Sequence, residues 1–206
     1  MIRPTHPTAT LSTRRTEAYT DGVFAIAATL LVLDLTTNTL GAVKSDAELW
    51  TALVGEWLLF VNFALSFALL SLLWMTHVRQ FEHVAKVDGT MIWLNNARLL
   101  FIVLVPFSTG MVTEYSDYVA GRIILPANFF LAILFGWLQW MWAVRHRDEM
   151  LPDLSQEDAV AYGRANLSAV ILSAVVVVLS PFIGSIAFTL FFLDGILTRA
   201  LHGKGD

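Results

Sequence analysis

Apolar runs of membrane-crossing length alternate with short polar connections along the chain. From Gly22 to Leu33 only Thr29 interrupts the first run, and with its flanks, residues 16–36, it reaches the ~20 residues that cross a bilayer as a helix. At about 100° per residue, Ile26, Leu30 and Leu33 form one narrow stripe, which Thr37 prolongs outward and Gly22 and Tyr19 prolong inward. Thr29 stands beside the stripe and Asp34 flanks its outer end, where a carboxylate can concentrate cations. Asp21 points roughly the opposite way from Ile26. Both acids lie near helix ends, where a charge costs less than the ~2.5–3.5 kcal/mol of the bilayer centre. The helix therefore has an uncharged, shape-defining face and a separate polar face near its start. The first is read as lining an ion pathway, the second as fixing the helix in its subunit.

The later runs predict spans at about 50–75, 91–112, 122–144, 162–180 and 183–200. Pro106 sits inside the third as a kink, and SPFIGS at 180–185 supplies a turn between the last two. The expectation is an all-α membrane protein with six transmembrane helices in one domain, 16–201, between a flexible tail at 1–15 and a short one at 202–206. Hydrophobic residues at 56% and charged residues at 15% support that class, since soluble domains carry about 25% charge. Counting Lys and Arg orients it. Arg3, Arg14, Arg15, Arg79, Lys86, Arg145, Arg147, Arg164, Arg199 and Lys204 fall on one side, and only Lys44 and Arg122 on the other. By the positive-inside rule both termini are cytoplasmic. The seven tryptophans cluster near span ends, as interfacial belts do.

Polar residues inside the membrane carry the candidate chemistry. Asp21 and Asn95 each lie about five residues in from the cytoplasmic edge and His77 at the inner end of span two, so all fall within about one helical turn of a common depth. Trp74 can place its indole N–H in the same layer. A carboxylate, an imidazole, an amide and an indole can satisfy one another, either as an ion- or proton-binding site or as glue between helices. Arg98 sits about one turn deeper, with Asp21 its nearest candidate partner by depth. Glu56 and Asn62 face either an outer vestibule or neighbouring helices and lipid headgroups. His77 and His83 match no metal-ligand spacing, no nucleophile sits nearby, and there is no cysteine. An enzyme, a cofactor and a metal are therefore not expected.

Arg15, Tyr19, Thr20 and Asp21 spell R-x-x-x-Y-T-D, which resembles the R-x-x-x-F-S-D signature of the endo-lysosomal potassium channel family, transmembrane protein 175 and its bacterial relatives. GVFAIAATLLVLDL follows as it does in that family. The likeness continues through Trp74 and His77, Trp93-Leu94-Asn95, Pro106 to Thr109, Glu114 to Asp117 and Asn128, and weakens over the last two spans. The resemblance implies a homotetramer whose pore is lined by the first helix, with a hydrophobic constriction at Ile26, Leu30 and Leu33 and no TVGYG-type filter. It also implies that the signature residues, with His77 and Asn95, hold packing together; Arg98 stands where the family would have an apolar residue. The function expected is a cation channel modestly selective for K+ over Na+, in a bacterial inner membrane, with further copies of itself, lipid and monovalent cations as partners and no nucleic acid. The alternative is a proton-coupled secondary transporter using Asp21, His77 and Arg98.

Overall fold

The computed structural model describes residues 11–35 and 42–193, all in helices and short connections. Helix α1 runs Leu11–Leu30 and tightens into a 3-10 turn, Leu31–Asp34. Helix α2 is Asp46–Gly55 and α3 is Trp57–Phe81. Helices α4, Gly89–Val103, and α5, Val105–Glu114, follow. Helix α6 is Val119–Arg145, α7 the single turn Arg147–Met150, and α8 Gln156–Ile183. A 3-10 segment, Gly184–Leu193, comes last.

Among the described residues, five stretches are long and apolar enough to cross a membrane: 12–33, 57–81, 89–114, 119–145 and 156–183. The chain is thus a multi-pass, all-helical membrane protein. The expected second span changes most. The apolar run from Trp50 is broken at Gly55-Glu56, where a residue without a side chain precedes a carboxylate that resists burial in lipid, so α2 stands apart and the crossing helix starts at Trp57. His77 consequently lies one turn inside α3 and is completely buried. Pro106 divides the third span as expected: with no N–H and a ring that crowds the preceding turn, it sits in the first turn of α5, after a break at Leu104. The turn expected near 180–185 falls at its far end. Helix α8 continues through Pro181 to Ile183, and Gly184, at φ +60° and ψ −143°, turns the chain in a region that side-chain-bearing residues rarely enter. Of the expected sixth span, 183–200, residues beyond 193 lie outside the described residues.

Two apolar clusters hold the helices. The larger joins Phe24, Ala27 and Leu31 of the first span to Leu70, Leu99, Phe129 and Val176, and Phe188 folds back onto Phe129 with ring centroids 6.1 Å apart. The smaller gathers Phe81, Met91, Trp140 and Leu151 at the basic end. There the backbone of Ala85 donates to the Met150 carbonyl at 2.8 Å, and Thr13 donates to the Ala85 carbonyl at 3.3 Å, tying two connections to the first helix. Three tryptophans depart from the lipid-facing belt. Trp140 is buried and donates to the Ala159 carbonyl, Trp137 donates to Gly163, and Trp142 donates to Asp88, so the α6 indoles fasten it to its neighbours. Trp50, Trp57, Trp74 and Trp93 remain exposed.

Candidate functional site

Helix α1 divides into two faces. Thr13, Glu17, Thr20, Phe24, Ala27 and Leu31, at steps of three and four, are buried in the subunit. On the opposite arc Tyr19, Ile26, Leu30 and Leu33 are 60%, 61%, 39% and 62% exposed. The stripe expected from helical period thus lies within the arc that the subunit leaves uncovered, with Leu30 toward its edge. A methyl added at Gly22 would meet nothing within 4 Å, so the same arc stays open toward the basic end. Thr29, also exposed, donates its hydroxyl to the Ile26 carbonyl at 2.8 Å, which holds the side chain against its own helix. The tightening into 3-10 geometry at Leu31–Asp34 brings Leu33 closer to the axial line of Leu30. Thr37 and the side chain of Asp34 lie outside what the structure describes.

The polar layer is present but divided. On one flank, in a groove between α1 and α3 lined by Phe24, Ala28, Leu70 and Ser71, Trp74 donates through Nε1 to Asp21 Oδ1 at 2.9 Å. On the other flank Asn95, fully buried, donates through Nδ2 to Thr20 Oγ1 at 2.8 Å. Gln139 of α6 extends that arm, with Nε2 3.4 Å from Asn95 Oδ1 and 3.5 Å from the Met91 carbonyl. Between the flanks His77 is enclosed by aromatic rings, its centroid 4.3 Å from Phe81 and 6.3 Å from Phe24. Arg15 stays exposed along the groove between α1 and α4, beside Tyr19 and Asn96.

Arg98 does not pair with Asp21. It is 1% exposed, donates through Nη2 to the backbone carbonyl of Leu73 at 2.9 Å, and stands 5.9 Å from the Phe24 ring centroid. The reason is steric and topological: Arg98 emerges toward α3 and α6, behind Phe24, whereas Asp21 lies in the outer groove. Of the two readings of Asn62, the structure shows the contact with a neighbouring helix: it donates to Thr113 at 3.3 Å, between α3 and α5. Gln139 and Gln80 escaped the sequence reading. Their signal was available, since Gln139 lies about 9 Å in from Arg145, close to the depth of Asn95.

The chain is thus a multi-pass helical bundle whose first helix keeps an aliphatic edge outside its own core, with a carboxylate in a surface groove. Residues 15–106 match the model of the family described as endosomal/lysosomal potassium channel TMEM175. A potassium channel of Streptomyces collinus is 35% identical over 133 residues, covering 61% of this chain and 62% of that protein. The endosomal/lysosomal proton channel TMEM175 of Mus musculus is 33% identical over 164 residues, 75% of this chain and 32% of that protein. The matched stretches span less than two thirds of these relatives' own lengths. The crystal structure of a lysosomal potassium-selective channel TMEM175 homolog from Chamaesiphon minutus superposes with a TM-score of 0.63 at 27% identity, over 92% of this chain and all of that one. Over these stretches the chain is similar to the TMEM175 channels. That family is one of ion channels, not of enzymes.

Proposed function

We propose that this protein is a cation channel, modestly selective for K+ over Na+, whose pore is lined by α1 from each of four identical subunits. Ile26, Leu30 and Leu33 form stacked aliphatic rings, with Thr29, Asp34 and Thr37 beside them toward the outer mouth. The observation that carries this reading is the exposure of those three side chains on a helix whose opposite face is buried. Such rings exclude water when narrow and conduct when slightly wider, so they gate by dewetting. With no ring of carbonyls or carboxylates to replace its hydration shell, an ion sheds water at its own cost. That cost is lower for K+ than for Na+, which gives a real but modest preference.

Asp21 and Trp74, with Arg15 and Tyr19, face the neighbouring subunit and set its position, while Thr20, Asn95 and His77 hold α1 to its own bundle. The full subunit has six spans with both termini cytoplasmic and sits in a bacterial inner membrane, needing no cofactor. The transporter alternative loses support where Arg98 donates to Leu73 and to neither Asp21 nor His77. The experiment is ion flux from liposomes: Leu30→Ala widens the constriction, raises flux and lowers the K+/Na+ ratio. Unchanged flux and unchanged ratio would remove Leu30 from the pathway. Because the mouse relative is named a proton channel, H+ flux belongs in the same assay; saturable, pH-driven counterflow in place of ohmic current would favour the transporter.

A further inference from the structure

Arg98 has no role in a pore lined by α1, and a membrane-embedded guanidinium requires an acceptor. Nη2 has one in the Leu73 carbonyl. Nε and Nη1 are buried and make no hydrogen bond among the described residues. Both belong to a side chain that lines a cavity of about 380 Å³ between α3 and α8, floored by α4 and α6. A Cβ on Gly136 would stand 3.1 Å from Arg98 Cζ and Nε, so the bare backbone of α6 lets the guanidinium lie flat against the floor.

The lining is graded along the membrane normal. Toward the basic end lie Arg79, Gln80 and Tyr162; deeper than Arg98 lie Leu69, Phe129 and Ile133. Leu73, which anchors Arg98, is six residues before Arg79, hence about 9 Å deeper. No Asp or Glu is among the described residues lining the cavity. Among the described residues, then, Arg98 meets no acidic side chain in the cavity, and the deeper wall is apolar.

We propose that the cleft between α3 and α8 binds an anionic phospholipid, with its phosphate held by Arg98 and approached past Arg79 and one acyl chain lying against Leu69 and Phe129. Arginine suits this task because its planar fork matches two phosphate oxygens at once. The site lies behind Phe24, away from the exposed edge of α1, and its test does not depend on conductance.

Delipidated full-length protein in detergent is titrated with phosphatidylglycerol, phosphatidylcholine or inorganic phosphate, and binding is read by native mass spectrometry and by the thermal midpoint. Phosphatidylglycerol is expected to be retained and to raise the midpoint, phosphatidylcholine much less. Arg98→Gln is expected to weaken phosphatidylglycerol binding at least tenfold. Gly136→Ala, which crowds the guanidinium, should weaken it in the same direction. If Arg98→Gln does not yield folded protein, Arg79→Gln carries the test and should lose several-fold. Equal retention of the two lipids, or wild-type retention by the arginine variants, would overturn the site. Full stabilisation by inorganic phosphate alone would overturn the lipid as its occupant.

Discussion

Trp74 Nε1 reaches across the groove between the first and third helices to Asp21 Oδ1 at 2.9 Å, and the pair lies at the subunit surface, with Trp74 41% exposed. A carboxylate in that position is held in place by its own subunit and, in the proposed tetramer, faces a neighbour. Asp21→Ala is therefore expected to impair tetramer assembly more than permeation. A charge-assisted hydrogen bond is worth ~1.5–3 kcal/mol when sheltered and less at a half-exposed site, a loss repeated in every subunit. Size-exclusion chromatography with light scattering measures it; a well-formed tetramer with altered selectivity would move Asp21 into the ion pathway.

The buried arm of the polar layer makes an ordering prediction. Asn95 donates to Thr20 at 2.8 Å, whereas both contacts of Gln139 are 3.4 Å or longer. Asn95→Ala should lower the thermal midpoint in detergent more than Gln139→Ala, with a loss of ~1–2 kcal/mol for a bond whose partner stays buried. Thr20→Val combined with Asn95→Ala should cost less than the sum of the two, because they share one bond.

Close approach at the start of α6 predicts a sharp contrast between two glycines. A Cβ on Gly121 would collide with the Tyr115 carbonyl oxygen, a backbone atom that cannot swing aside, while one on Gly22 would meet nothing within 4 Å. Gly121→Ala should destabilise by ~1–3 kcal/mol or more through forced backbone shifts. Gly22→Ala should leave the midpoint unchanged, and any effect it has should appear in conductance.

At the basic end Lys86 Nζ lies 2.6 Å from Glu149 Oε2, with both side chains largely exposed. The hydrogen bond and the opposite charge hold the Glu149 carboxyl below its ordinary value and raise the Lys86 ammonium above its own. For Glu149 the contribution is present above the unfolded carboxylate value and is lost as pH falls through the lowered one. For Lys86 it is present below the unfolded ammonium value and is lost as pH rises through the raised one. The pair is thus intact at neutral pH and released in acid. Solvent screens it, so Glu149→Gln should move the thermal midpoint by less than about 2 °C at physiological salt, and the small difference from wild type should vanish at acid pH.

How much of this was legible in the sequence depended on whether a feature obeys a period. The two faces of α1 do: Ile26, Leu30 and Leu33 fall on one edge, and the structure leaves that edge uncovered. The depth of Asn95, Asp21 and Trp74 was legible from rise per residue, though not their division into two arms by the aromatic packing around His77. The break at Glu56 was hidden because apolar residues resume immediately after it. Arg98 was misread for a different reason. Its partner is a backbone carbonyl, which every residue carries, so no side-chain inventory could single out Leu73. The α6 indoles looked like a lipid belt because span ends and helix crossings coincide at Trp137, Trp140 and Trp142.

The absence of native cysteine makes the central claim directly measurable. Single variants Leu30→Cys, Ala27→Cys and Leu72→Cys are recorded in planar bilayers during exposure to silver ions, which are close to potassium in size. If four copies of α1 wall the axis, silver abolishes current through Leu30→Cys and leaves Ala27→Cys, on the buried face, and Leu72→Cys, on an exposed face of α3, conducting. Block at Leu72 with none at Leu30 would mean that another helix lines the path and that the aliphatic edge of α1 faces lipid.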